Sequence, residues 1–267
     1  MTEYAIIGTG NMGSALCRAM CKKVSPEKII LFDKINEKAC SLAEETGCLT
    51  AMSAREAVSL AQYILLGIKP HIMPAAFEEF KPVLKDEHIL VTMAPGITMN
   101  DVRYMAGISC PVIRIMPNTP VSVGAGMTLI ASDDRVSESI LKKFMGDLSE
   151  TGHFARLPEA LMDAAGAVSG CGPAFADIFI EALADGGVAC GLSRPLAYEL
   201  AGQMLLGTAR LVLEGSHPGI LKDNVCSPGG TTIQGVRALE KGNFRSCVME
   251  AVISAFEKTK KSDRDSR

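Results

Sequence analysis

A chain of 267 residues fits two packed units, or one large α/β unit, because a single core rarely grows beyond this size. Hydrophobic residues at 48% and charged ones at 21% describe an ordinary globular protein, and no run reaches the roughly 18 unbroken apolar residues of a membrane span. A net charge of −3 lacks the basic footprint of a nucleic-acid binder, so neither a membrane nor a nucleic acid is expected as a partner.

The amino terminus runs into Tyr4-Ala5-Ile6-Ile7-Gly8 without a basic stretch or cleavage site, and a cytoplasmic location is expected. Through residue 157, short apolar runs alternate with amphipathic stretches, the rhythm of βαβ units on a parallel sheet. Strands are predicted over residues 4–8, 28–32, 47–50, 63–68, 88–93 and 112–116, with 126–131 and 153–157 as later additions. Several are continuous apolar runs, as strands covered on both faces should be. Beyond residue 157 the strand signal stops. Stretches 159–189, 194–214, 231–240 and 244–258, rich in Ala, Leu and Met, read as helices. They carry few charges, and a helix apolar around most of its circumference needs cover on several sides. Residues 158–267 offer too little chain to supply that cover, so helix-against-helix association of subunits is expected in preference to a monomeric bundle. The basic run at 258–261 reads as part of a solvated, frayed tail.

Nine cysteines form an odd set with no CxxC pair, and His71, His88, His153 and His217 are scattered. This spacing argues against a disulfide framework and against a metal site; most of the cysteines read as small buried hydrophobes.

Gly8-Thr9-Gly10-Asn11-Met12-Gly13 follows the first strand and opens a helix over residues 14–22, the setting in which GxGxxG signals dinucleotide binding. Gly8 permits the tight turn, Gly10 lets the backbone approach a pyrophosphate, and Gly13 lets helix and strand pack closely. The helix end adds free N–H groups and a positive dipole. Asp33 follows Gly13 by 20 residues, at the end of the second strand. It suits an acceptor for the adenosine ribose, or a cap for the helix over 35–45. Its charge would favour NADH, whereas Lys34 would attract the 2′-phosphate of NADPH. Lys69 and Pro70, and Ala94 with Pro95-Gly96, end later strands where the crevice of such a sheet lies; Lys69 reads equally as a solvated loop lysine or a neighbour of the cofactor. Together these features give an α/β chain: a Rossmann-like dinucleotide-binding domain over residues 1–157 and an all-α substrate-binding and dimerisation domain over 158–267.

Pro228-Gly229-Gly230 cannot continue a helix and delivers the chain into Thr231 as the next one begins. The amides exposed there, with the hydroxyls of Ser227, Thr231 and Thr232, make a cradle for a carboxylate; alternatively Ser227 or Thr231 simply caps the helix. The segment from His217 to Ile233, with its Lys222-Asp223-Asn224-Val225-Cys226-Ser227-Pro228-Gly229-Gly230-Thr231-Thr232 run, resembles the signature of pyrroline-5-carboxylate reductases. Arg114-Ile115-Met116-Pro117-Asn118-Thr119-Pro120, Ala184-Asp185-Gly186-Gly187 and Gly191-Leu192-Ser193-Arg194 extend the resemblance over nearly the whole chain. It implies that 1-pyrroline-5-carboxylate is held by Ser227, Gly230 and the backbone of Thr231 and Thr232, with the Thr232 hydroxyl as the catalytic contact to the ring nitrogen. It also implies hydride transfer from NADPH or NADH, Asn224 reaching the cofactor, and a homodimer, open to further assembly, whose helical domains interlock around the substrate cradle. Asn118 lies near the nicotinamide on this resemblance, or is a plain turn asparagine. Cys171 stands where the family has serine, which puts a polar role there in doubt, and Pro95 replaces a smaller residue and removes an N–H.

A β-hydroxyacid dehydrogenase would need a lysine early in the helical half, yet residues 163–193 contain neither lysine nor arginine. A non-catalytic dinucleotide sensor would have no use for the cradle at Ser227.

Overall fold

The structure, a computed structural model, describes residues 2–265 and contains two compact units. The first runs to Gly170 and takes in the chain from Phe256 onward; the second is Cys171–Ala255.

The first unit holds one sheet of eight strands: β1 (Tyr4–Ile7), β2 (Ile29–Phe32), β3 (Leu49–Thr50), β4 (Tyr63–Leu66), β5 (Ile89–Thr92), β6 (Val112–Met116), β7 (Gly126–Ser132) and β8 (Gly152–Arg156). Their order is β3-β2-β1-β4-β5-β6-β7-β8. Helices α1 (Asn11–Met20), α2 (Asn36–Thr46), α3 (Ala54–Leu60), α4 (Met73–Phe80), α5 (Met99–Ala106), α6 (Glu138–Asp147) and α7 (Met162–Ser169) complete it. The apolar strands are buried on both faces, so successive residues feed two different cores. Ala5, Ile7, Ile64 and Leu66 enter one; Tyr4, Ile6, Tyr63 and Leu65 enter the other. All neighbouring strands are parallel except β6 and β7, which correct the expectation of a parallel sheet. The link over residues 117–125 holds only a 3₁₀ turn, Thr119–Val123, and is shorter than a parallel crossover requires.

Arg114 on β6 is only 2% exposed, yet it carries a charge. Its guanidinium donates to Asp163 Oδ1 at 2.8 Å and to Glu159 Oε1 at 3.4 Å, and Glu159 also accepts from the Met99 amide at 2.7 Å. This ties the sheet to α7 and to the start of α5. Removing Asp163 leaves the buried charge with Glu159 alone at 3.4 Å, so Asp163→Ala is expected to lower unfolding free energy by about 1.5–3 kcal/mol, checked by urea denaturation. Arg114→Met, which removes the charge and keeps the bulk, should cost less.

His88 is 5% exposed, and its Nδ1 accepts from the Lys85 amide at 2.9 Å, a role open only to unprotonated nitrogen. Burial lowers its pKa. The unfolded chain therefore takes up the proton first, and the stability His88 contributes is present above its ordinary pKa of about 6.5 and is lost as pH falls below it. Urea midpoints measured between pH 8 and pH 5 should show a decline that flattens in His88→Asn.

The stretch Glu159–Ala189, expected as one helix, is long and apolar enough by length and composition to cross a membrane, and 11% of its most apolar window is buried within the chain. It is three pieces: a 3₁₀ turn at Glu159–Leu161, then α7, then α8 (Gly172–Ala189). Pro173 has no N–H to give the preceding turn and is suited to the first turn of a new helix, so α8 starts there. Helix α7 stays with the sheet because Met162 is fully buried and Gly166 sits against Met116, where a Cβ would come within 2.1 Å of its Sδ. The compact units thus divide after Gly170, later than the boundary at residue 157 read from the disappearance of strands.

The second unit adds α9 (Arg194–Leu213), α10 (Pro218–Asn224), α11 (Thr231–Lys241) and the part of α12 (Phe244–Asp265) up to Ala255 to α8. Helix α10, capped by His217 Nδ1, was not foreseen, and the backbone of α12 continues through residues 258–261, which were read as a frayed tail. Gly187 lets α8 and α9 close together against Leu192 and Ala197, and Phe179 packs on Phe244 at 5.7 Å. Among the described residues of this unit only Ala184, Ala197 and Ala201 are buried, while Ile178, Leu200, Met249 and Leu213 are exposed. The cysteines also depart from expectation. Cys17, Cys48 and Cys110 are buried, with burial pushing the Cys110 thiol up to about 11, but Cys171, Cys190 and Cys247 are exposed within the single chain.

Candidate active site

The glycine loop lies where the strand order reverses, between β1 and β4, the position at which sheets of this order bind ligands. Its three glycines have the three geometries their spacing predicts. Gly8 turns with φ +99° beneath Gly67, where a Cβ would come within 2.7 Å of the Gly67 carbonyl. Gly13 faces the Gly8 carbonyl so closely that a Cβ would meet it at 2.1 Å. Gly10 is the N-cap of α1, and nothing lies within 4 Å of the place a Cβ would occupy. The open space and the uncapped helix end are what an approaching pyrophosphate needs, so the loop fits a dinucleotide.

Asp33 takes neither of its two expected roles alone. Its Oδ2 accepts from the Thr9 amide at 2.8 Å and the Thr9 hydroxyl at 3.2 Å, and its Oδ1 accepts from the Ile35 amide at 2.9 Å. The carboxylate thus fastens the glycine loop to the end of β2. The cap of α2 is Ile35, without a side-chain bond. Asp33 nonetheless lines a cavity of about 580 Å³ with Gly8, Gly10, Lys34 and Lys69. Lys38, in the first turn of α2, lines it too and was missed because a lone lysine on a helix reads as surface. Ile35, Ile68 and Ile72 give the cavity an apolar wall. Thr9, Gly10 and Asn11 border a second depression of about 560 Å³ with Arg18, whose guanidinium is held by both oxygens of Glu45 at 2.6 and 2.7 Å.

Other predicted residues stand outside these cavities. Met12 packs against a core, Pro70 begins a 3₁₀ turn, and Ala94 is buried beneath the loop at Gly96. Asn118 donates to the Ser169 carbonyl at 3.0 Å and accepts from the Met127 amide at 2.9 Å, so its amide fixes the loop after β6 against α7 and β7.

In the second unit, Gly229 takes φ +68° and the Gly230 amide donates to the Ser227 carbonyl at 3.0 Å, closing the turn. Gly230, and neither Ser227 nor Thr231, is the N-cap of α11, and no side chain caps it. The Ser227 hydroxyl stands over Gly230, 2.3 Å from where a Cβ would be. The first amides of α11 thus have no side-chain cap, and Ser227, Thr231 and Thr232 beside them are exposed. Asn224, exposed, closes α10 two residues before Cys226.

This fold and this loop define an oxidoreductase with a nicotinamide-dinucleotide domain followed by helices. Family models agree: one described as NADP oxidoreductase coenzyme F420-dependent matches residues 3–96, and one described as pyrroline-5-carboxylate reductase dimerisation matches residues 159–262. The pyrroline-5-carboxylate reductase of Escherichia coli (strain K12) is 37% identical over 262 residues, 97% of each chain, and that of Synechocystis is 39% identical over 96% of this chain and 97% of its own. The crystal structure of the Plasmodium falciparum pyrroline carboxylate reductase with NADP bound superposes with a TM-score of 0.89 at 32% identity, covering 98% of both chains. The chain belongs to the pyrroline-5-carboxylate reductase family.

Proposed function

We propose that this enzyme reduces the C=N bond of 1-pyrroline-5-carboxylate to give L-proline, with NADPH or NADH as donor. The reduced nicotinamide supplies the hydride. The chain's own residues bind and orient. The amide nest at the start of α11 takes the substrate carboxylate with Ser227, Gly230 and Thr231, and the Thr232 hydroxyl meets the ring nitrogen. A protonated iminium already accepts hydride at carbon, so no strong general acid is needed and orientation is the main contribution. The glycine loop, Asp33 and Lys34 hold the adenosine end. Lys69, Pro70, Ala94 and Asn118 complete the cofactor's surroundings in the first unit, with Asn118 acting through the loop it fixes; Asn224 is assigned to the cofactor on the family resemblance alone.

The observation that carries this reading is the α11 N-terminus left uncapped beside Ser227. The exposed apolar face of the second unit supports a homodimer, with a second copy covering the surface of α8 and α9, and the cytoplasm is the location this reading assigns it. Incubating the purified protein with pyrroline-5-carboxylate and each reduced dinucleotide, and following the loss of nicotinamide absorbance, tests the assignment. Turnover with the imine and none with β-hydroxyacids is the expected result; the reverse overturns it.

A further inference from the structure

Folding brings together three thiols that the sequence keeps apart. Cys17 lies on α1 and Cys21, the residue that ends it, follows one helical turn later in helical conformation, so the two share a face. Cys48 follows Gly47, whose φ of +80° ends α2, and leads into β3. The Cys48 Sγ lies 3.7 Å from that of Cys17 and 3.4 Å from that of Cys21, and all three sulfurs fall within 4.8 Å of one another. Three thiolates bound at about 2.3 Å to one ion stand about 3.8–4.0 Å apart, whether the arrangement is tetrahedral or planar, so the cluster already has nearly the spacing of a metal site. Among the described residues no imidazole or carboxylate joins the group. Cys17 and Cys48 are buried and Cys21 is half-buried, which gives one side of the cluster a route to solvent.

We propose that Cys17, Cys21 and Cys48 form a binding site for a single thiophilic closed-shell cation, Cu(I), held by three sulfurs. Soft thiolates favour Cu(I), zinc and iron–sulfur clusters; structural zinc almost always takes a fourth protein ligand and iron–sulfur clusters take four cysteines, so a cluster of three fits Cu(I). The site pins α1, the helix that begins at the glycine loop, to the segment joining α2 and β3. It lies at the end of α1 remote from Gly10, so occupancy acts on the stability of the first unit and leaves the cradle in the second untouched.

The full-length protein, purified under reductant without oxygen, is titrated with Cu(I) against the chelator bicinchoninate. One equivalent per chain is expected to be retained, with three sulfur neighbours by X-ray absorption and a raised melting temperature. Cys48→Ser should weaken retention by roughly a hundredfold or more, whereas replacing Cys171, Cys190 and Cys247 together should not. Should Cys48→Ser fail to fold, Cys21→Ala, at the half-exposed edge, reads the same loss. Failure to retain Cu(I), equal retention by Cys21→Ala, or a disulfide joining Cys48 to Cys17 or Cys21 in the freshly purified protein would each overturn the proposal.

Discussion

Gly10→Ala raises the KM for the reduced dinucleotide by at least roughly tenfold, a loss of about 1.4 kcal/mol, and leaves the melting temperature where it was. Gly13→Ala raises that KM too, and it lowers the melting temperature. The two residues differ by three positions in one loop, but the space around them differs completely. A methyl group at Gly10 meets no protein atom within 4 Å and sits at φ −69°, which any residue accepts, so the free protein folds normally. On the proposed reading, what the methyl fills is the space a phosphate would enter. At Gly13 the same methyl would lie 2.1 Å from the Gly8 carbonyl, a backbone atom that cannot swing aside, so α1 must move off the sheet at an overpacking cost of about 1–3 kcal/mol. Cofactor titration and thermal unfolding of both variants separate the effects. A Gly10→Ala protein that binds dinucleotide as tightly as the parent would remove the loop from the cofactor site.

Thr232→Ala should lower kcat/KM for the imine by roughly ten- to a hundredfold, the weight of one hydrogen bond to a charged group at about 1.5–3 kcal/mol, while the dissociation constant for the dinucleotide stays within a factor of about two. Thr232 is exposed in the first turn of α11, and its side chain does not cap that helix, so its loss should not unfold the second unit. A Thr232→Ser protein, which keeps the hydroxyl, should recover most of the rate. If alanine reduces dinucleotide binding as much as turnover, the residue belongs to the cofactor and the substrate assignment fails.

Much of the first unit was legible because its strands are covered on both faces, which forces unbroken apolar runs such as residues 63–66 and 89–92 into view. The glycine loop was legible for a related reason: each glycine answers a separate steric demand, and each demand leaves a glycine at a fixed spacing. Direction was harder to read. The antiparallel β7 depends on how little chain lies between Met116 and Gly126, and the break after α7 depends on a Gly-Cys-Gly-Pro run that hydropathy passes over. Asp33 was seen as a ligand or a cap, and its bonds to Thr9 escaped notice because they join residues 24 positions apart. The cysteine trio was hidden likewise. Two members share a helix face, but the third arrives from 27 residues beyond Cys21, a distance no short motif spans.

The first unit has a buried core on each face of its sheet, whereas the second buries three alanines within its own chain. The first unit should therefore hold its fold in a solitary copy, whereas the second should wait on an encounter. Dilution should loosen the latter long before the former, and heating scans at falling protein concentration should pull a single transition apart into two, the lower one drifting with concentration and the upper one standing still.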